Sequence, residues 1–123
     1  MEWLMMNIAL NMKIINNKII PFGKSFLAVN LFGVIFTKGP LDPVDRNHEY
    51  IHTLQQREML FIGFYIVYLI EWAIRIIQYR GYVRGYEHIS FEREAYINEY
   101  NLSYSKQRKP FAWTKYLRNK WNT

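Results

Sequence analysis

The sequence predicts an α+β domain, with a short β-sheet or hairpins in the N-terminal third followed by three or four helices. Runs rich in β-branched and aromatic residues come first in the chain, and longer segments with helix start signals follow them. Strands followed by helices are typical of the α+β class. The 123 residues suffice for a single domain, and a hydrophobic content of 50% excludes disorder over most of the length.

The predicted strands lie between residues 14 and 36. Residues 14–20 contain two short apolar runs around an Asn pair, which predicts a tight hairpin because Asn tolerates positive φ. The segment Phe26–Phe36 is predicted to form one strand, or two strands that meet near Gly33. Residues 1–11 precede a second plausible start at Met12 and are expected to be an extension with little structural role.

The first helix has clear start signals. Asp42 stands at the N-cap position, Pro43 fits the first helical position, and Asp45 lies in the first turn, where the helix dipole favours an acid. These signals predict a helix from Pro43 through Arg57.

Residues 59–77 are apolar except for Glu71 and Arg75. A helix of this length spans about 28 Å, close to the hydrocarbon thickness of a bilayer. Glu71 and Arg75 are spaced i, i+4, with the acid first, which stabilises a helix, whereas a charge at the bilayer centre costs about 2.5–3.5 kcal/mol. The segment is therefore interpreted as a buried core helix or as a partly or peripherally membrane-inserted helix, in preference to a full span.

The net charge of +6 is concentrated in a basic, aromatic tail, residues 104–123. No acid follows Glu99, and six bases fall in the last 18 residues: Lys106, Arg108, Lys109, Lys115, Arg118 and Lys120. This tail is interpreted as a solvated helix whose aromatic residues pack on the core, or as a surface for an anionic membrane. Nucleic acid is not the expected partner. The N-terminus lacks a secretory signal pattern, so a cytoplasmic or membrane-associated location is expected.

A metal-site pattern carries the predicted chemistry. The absence of cysteine excludes disulfides, thiolate zinc sites, iron–sulfur clusters and cysteine nucleophiles. His48, Glu49 and His52 form the pattern H-E-x-x-H inside the first predicted helix, where a spacing of four residues directs both imidazoles to one face. In zinc hydrolases with this pattern, the carboxylate takes a proton from the water that Zn²⁺ activates. The alternative is a pair of surface histidines on a polar helix face.

The third metal ligand is predicted to be Glu92, with His88 as the alternative. Four residues share one face of a helix that starts after Ser90: Glu92, Ala95, Tyr96 and Glu99. Glu94 points away from this face and is expected to be solvated.

The two motifs resemble the gluzincin metallopeptidases, in which H-E-x-x-H is followed by Glu-x-x-Ala on a second helix. More closely, the chain is similar to a group of short, largely uncharacterised bacterial proteins. Those proteins carry H-E-x-x-H-x-x-Q-Q, an apolar Tyr-rich segment and F-E-R-E-A-Y. The resemblance covers about residues 25–117. It implies a minimal zincin-like fold in which His48, His52 and Glu92 bind zinc and Glu49 is the general base.

The chain departs from the gluzincin pattern directly after the Ala of the second motif. Many gluzincins have an Asp there that supports a His ligand, whereas this chain has Tyr96. Gln55 and Gln56 lie one turn past His52 and could supply hydrogen bonds to the imidazoles, or simply cap a polar face. Tyr96 and Tyr100 are candidates for stabilising an oxyanion.

The predicted function is zinc-dependent hydrolysis of a peptide or protein substrate, at or on a membrane. The alternatives are a catalytically inactive zincin-like module that binds a metal or a partner, and a membrane-surface protein in which the His pair is incidental. Phe26–Phe36, with Val34–Phe36 nearest the helix, is the candidate edge strand for an extended peptide, and a core strand is the alternative.

Overall fold

A computed structural model describes residues 13–21 and 27–118, and within these residues the α+β prediction is confirmed. A three-stranded sheet precedes five α-helices, rather than three or four, and a final 3₁₀-helix. The predicted extension, residues 1–11, lies outside the described residues. The elements are β1 (Ile14–Asn16), β2 (Ala28–Leu31), β3 (Val34–Thr37), α1 (Pro43–Glu58), α2 (Ile62–Tyr79), α3 (Tyr82–Glu87), α4 (Ser90–Asn98), α5 (Tyr104–Gln107) and the 3₁₀-helix Ala112–Tyr116.

The hairpin predicted over residues 14–20 is wrong. β1 pairs instead in parallel with β3, which is the central strand of the order β1-β3-β2. The reason lies at Asn17, whose side-chain oxygen accepts hydrogen bonds from the backbone N–H groups of Ile19 and Ile20. This local Asx turn holds residues 18–20 in a bend, so they do not return as a second strand.

The segment after Leu27 forms two antiparallel strands joined by a tight turn, which confirms the two-strand alternative for Phe26–Phe36. Phe32 and Gly33 both have positive φ, 55° and 84°, as a two-residue hairpin turn requires. The Asn30 side chain accepts a hydrogen bond from the Gly33 N–H (2.9 Å). Since β3 lies at the centre of the sheet, Val34–Phe36 is a core strand segment, and β1 and β2 are the edge strands of the sheet that the described residues form.

The predicted start of α1 is confirmed. Asp42 accepts a hydrogen bond from the Asp45 N–H, and the Asp45 carboxylate accepts one from the Asp42 N–H, so the two residues form a capping box. The buried face of α1 is mostly polar, with Ile51 as its apolar member: Asn47, His48, Glu49, Ile51, His52, Thr53, Gln55 and Gln56. Because buried polar groups are costly unless they are paired, this face indicates a functional site.

α2 is separated from α1 by a sharp turn in which Leu60 and Phe61 have positive φ. By length and composition, α2 could cross a membrane. Of its residues, only Phe64, Glu71 and Arg75 are buried. One side of α2 packs on the apolar core through Phe64 and partly buried neighbours such as Val67 and Trp72, whereas a row of apolar residues on the other side faces outward.

The apolar core lies between α2, α4 and the 3₁₀-helix. Its buried members are Phe64, Ile89, Phe91 and Trp113. Trp113 comes from the basic, aromatic tail, and its ring centroid lies 4.5 Å from that of Phe91. The described part of this tail is thus folded onto the domain in short helical segments.

Candidate metal centre

His48 and His52 converge on one point beside α1. Their Nε2 atoms lie 3.2 Å apart. The other ring nitrogen of each histidine is engaged, since His48 Nδ1 donates to Glu99 Oε1 and His52 Nδ1 donates to Gln55 Oε1, both at 2.8 Å. With the Nδ1 atoms protonated, the two Nε2 atoms present lone pairs to each other, and such an arrangement favours a cation between them.

Glu92 joins this pair from α4, and the three residues form a buried group that could hold a metal ion. Glu92 Oε1 lies 3.1 Å from His52 Nε2 and 3.4 Å from His48 Nε2. Tetrahedral ligands placed 2.0–2.1 Å from zinc lie roughly 3.3 Å from one another, so the separations fit one ion. The second oxygen, Glu92 Oε2, accepts a hydrogen bond from the Tyr68 hydroxyl (2.7 Å).

The charges of the three groups are strongly coupled. Burial alone would lower the pKa of His48, but hydrogen bonds to Glu92 and Glu99 raise it to about 10. Burial likewise opposes the charge on His52, whose pKa is nevertheless raised by Glu92. Burial would raise the pKa of Glu92, yet His52 and His48 hold it well below its usual range. The cluster therefore keeps Glu92 ionised, and this carboxylate stabilises positive charge beside it, carried either by protonated imidazoles or by a bound cation.

Glu49 lies next to the cluster and is buried, and its Oε1 has no hydrogen-bond partner within the described residues. Burial raises the pKa of this carboxyl, against the opposing charges of His48 and His52. A buried carboxylate oxygen is rarely left unpaired, because desolvation without a partner is costly. Such an oxygen beside a metal-binding group fits the acceptor for a proton from a bound water.

Glu49 lines two cavities. The larger, about 380 Å³, lies between β2, α1 and α2, and has His52 and Glu92 in its wall beside apolar side chains such as Phe64 and Trp72. The smaller, about 140 Å³, has His48 in its wall. Three residues line both cavities: Ala28, Glu49 and Tyr86.

Gln55 orients His52 and also links α1 to α4. Its amide nitrogen donates to Phe91 O (3.0 Å) and to Glu94 Oε1 (2.9 Å), which leaves the amide oxygen to face His52. Gln56 serves a different purpose, since it donates to Asn30 O (3.0 Å) at the β2 edge. Of the two glutamines, Gln55 contacts an imidazole and Gln56 fastens the sheet to α1.

The prediction that Glu94 is solvated is wrong. The side chain of Glu94 is fully buried, because its carboxylate lies between Gln55 of α1 and the tail. Arg108 forms ion pairs with Glu94 and Glu58, each with a 2.6 Å contact, and the Tyr104 hydroxyl donates to Glu94 Oε2. A series of hydrogen bonds and ion pairs therefore connects His52 through Gln55 and Glu94 to Arg108 in the tail.

Of the other residues that the sequence suggested for the site, Tyr96 contacts a histidine of the group, whereas Tyr100 and His88 lie outside it. Tyr96 packs edge-on against His48, with ring centroids 4.5 Å apart, and its hydroxyl lies 3.2 Å from that of Tyr86. Tyr100 is largely exposed. His88 stacks on Tyr79 at 3.7 Å and bonds to the Arg84 carbonyl, apart from the metal-binding group.

Sequence reasoning missed two residues that contact the ligands, Glu99 and Tyr68. Glu99 had a usable signal, because it shares a predicted helix face with Glu92. Tyr68 had none, since it stands among the apolar residues of α2.

No protein-family model, curated protein or solved structure matches the chain.

Replacing Glu99 with glutamine is expected to weaken metal binding, measured with Zn²⁺ as the probe, by about 10–100-fold. The carboxylate accepts the Nδ1–H of His48 and so makes its Nε2 a better donor to a metal, whereas a neutral amide polarises the ring less. Competition with a chromophoric chelator measures the affinity. Glu87→Gln, which removes the same charge from the exposed surface of α3, is the matched control. Equal affinity for Glu99→Gln and the wild type would contradict this role.

Proposed function

We propose that the protein is a zinc-dependent hydrolase that cleaves peptide bonds. The observation that carries this proposal is the buried Glu49 Oε1, unpaired among the described residues, beside the His48, His52 and Glu92 group, with Glu49 lining two cavities. Two imidazole nitrogens and one carboxylate oxygen are a typical ligand set for catalytic zinc. The resemblance to gluzincins, which assigns the same residues, also supports this function.

In this proposal, His48, His52 and Glu92 hold the ion through Nε2, Nε2 and Oε1. A zinc ion bound there would lower the pKa of a water molecule and polarise a carbonyl oxygen. Glu49 Oε1 accepts the proton of the attacking water and returns it to the leaving nitrogen, so that one carboxyl serves first as base and then as acid. Burial of Glu49 suits this role, because a raised pKa makes its carboxylate a stronger base.

Tyr96 is the candidate donor to a developing oxyanion. Its ring contacts His48, and it lies in the wall of the smaller cavity together with Glu49. Burial and the charge of Glu92 raise the pKa of Tyr96 to about 12, so its hydroxyl stays protonated at neutral pH and can donate.

The outer edge of β2 at Ala28 is the candidate binding surface for an extended peptide. Leu27 O accepts a hydrogen bond from Lys38 N, which turns the backbone of the next residue, Ala28, away from β3. Ala28 also lies in the walls of both cavities. A chain added to this edge would therefore pass Glu49.

Metal analysis combined with a peptide-library assay tests the proposal. Untagged protein purified without chelators should contain about one zinc ion per chain. It should also cleave members of a mixed peptide library, as detected by mass spectrometry, with loss of cleavage on chelation and recovery on zinc addition. Absence of stoichiometric metal would contradict the whole proposal. Zinc binding without cleavage would instead identify a metal-binding module.

A further inference from the structure

The exposed side of α2 is a continuous apolar surface. We call it the apolar face of α2, and its members are Ile62, Ile66, Leu69, Ile70, Ala73, Ile74 and Ile77. All of α2 is described, and Gln78 is its one exposed polar residue. The larger side chains on this face are each about half exposed or more, from 49% for Ile74 to 79% for Ile77. Isolated exposed apolar residues are ordinary, but a contiguous helical stripe of them marks an interaction surface.

The opposite side of α2 holds its two charged residues. A surface helix of a soluble protein normally buries its apolar side and exposes its charged side, and α2 does the reverse. Glu71 and Arg75 are buried and form an ion pair at 3.1 Å. Glu71 accepts hydrogen bonds from the backbone and hydroxyl of Ser90, and Arg75 donates to Leu117 O. These bonds attach α2 to α4 and to the tail along its polar side, and leave only the apolar face outward.

Exposed arginines stand beyond both ends of α2. Arg57 precedes it by a few residues, and Arg80 and Arg84 follow it. Exposed Leu60 and Tyr82 extend the apolar surface towards the same ends. Apolar residues bracketed by arginines are complementary to a lipid surface that offers acyl chains and anionic headgroups.

A second copy of the chain fits this surface less well. If two copies packed through the apolar face of α2, a parallel pairing would bring like ends together. An antiparallel pairing would set Arg57 beside Arg80 and Arg84. Both arrangements juxtapose arginines, and each copy carries a net charge of +6.

We infer that the apolar face of α2 docks into one leaflet of an anionic bilayer, with the helix axis in the membrane plane. The in-plane orientation follows from the packing. The polar side of α2 is bonded to the rest of the domain, so the helix cannot be surrounded by lipid and only its apolar face can enter the bilayer. Aliphatic side chains enter the acyl region, and the flanking arginines reach the headgroups. The 18 residues give the helix a length of about 27 Å along the surface.

Docking in this orientation would bring the larger cavity to the membrane surface. Leu69 belongs both to the apolar face of α2 and to the wall of that cavity, and Trp72 lines the cavity from the next turn. The cavity would then open at the level of the lipid headgroups. Membrane docking does not depend on hydrolysis, so it stands or falls separately from the proposed function.

Vesicle flotation tests the inference. Wild-type protein is expected to float with vesicles of phosphatidylcholine and phosphatidylglycerol, and to float less with phosphatidylcholine alone. The double variant Ile66→Gln/Ile70→Gln should lose at least about tenfold in partitioning. Arg80→Gln/Arg84→Gln should lose the preference for anionic vesicles, as should the wild type in about 0.5 M NaCl.

The matched control is Ile15→Gln/Ile97→Gln, which makes the same change at two exposed isoleucines outside α2. It should float like the wild type, and circular dichroism checks that each variant is folded. Failure of the wild type to float with either vesicle would overturn the inference. So would an equal loss in the control, or a dimer in light scattering that the Ile66→Gln/Ile70→Gln change dissociates while flotation is absent.

Discussion

Replacing Glu49 with glutamine is expected to lower kcat for peptide hydrolysis by about 10²–10⁴-fold while the protein retains its metal. The amide is nearly the same size as the carboxylate but cannot accept a proton from water. Glu49 is not among the three grouped ligand residues, so metal content should stay near the wild-type value. Mass-spectrometric cleavage rates and metal analysis on the same sample separate the two effects.

The variant Glu49→Asp provides the matched control for the proton-transfer role. It keeps a carboxylate but withdraws it by one methylene, so it should retain more activity than Glu49→Gln and the same metal content. Full activity in Glu49→Gln would show that this carboxyl is not the base. Loss of metal in Glu49→Gln would assign Glu49 to the ligands instead.

The second large effect is expected at His52. His52→Ala removes a ligand atom, so zinc affinity should fall by more than about 100-fold, beyond the range typical of residues that only support ligands. It also deprives buried Glu92 of its 3.1 Å partner and leaves Gln55 Oε1 without the imidazole. Removing one member of a buried charged pair costs about 3–5 kcal/mol in the free energy of unfolding.

Two further variants make the result at His52 interpretable. His88→Ala removes a histidine that stacks on Tyr79 outside the ligand group, and it should keep its zinc. His52→Gln retains an amide near Gln55 and Glu92, so it should unfold at higher denaturant concentration than His52→Ala while still binding zinc weakly. Wild-type zinc affinity in His52→Ala, or loss of zinc in His88→Ala, would exclude the proposed ligand set.

Local signals account for the parts of the fold and site that could be predicted. The capping box at Asp42 and Asp45 depends on residues three apart, and the convergence of His48 and His52 depends only on helix periodicity. Glu92 required one further step, the assignment of a second helix with its acid on a face that a small residue, Ala95, also shares. The capping box and the His pair depend on short sequence separations, where helix geometry is reliable.

The errors came from contacts between distant parts of the chain. The sequence predicts Glu94 in solvent, but Gln55 of α1 and Arg108 and Tyr104 of the tail enclose it. β1 was assigned to a local hairpin, whereas its partner strand lies some twenty residues away. For α2, the apolar composition alone did not indicate that Glu71 and Arg75 would lie on the buried side of the helix. Such contacts are decided by how elements pack together, and a single sequence carries little information about that packing.

Because Glu49 lines two cavities of unequal size, the site would distinguish the two directions in which a peptide chain can bind. A chain bound across this carboxyl would have the roomy, apolar space beside Trp72 on one side and the confined space beside Tyr96 on the other. The two sides would therefore accept different groups, and a chain threaded in reverse would present each group to the wrong space. Under the proposed peptidase activity, cleavage products should therefore carry their bulky apolar group consistently at the same one of the two new termini.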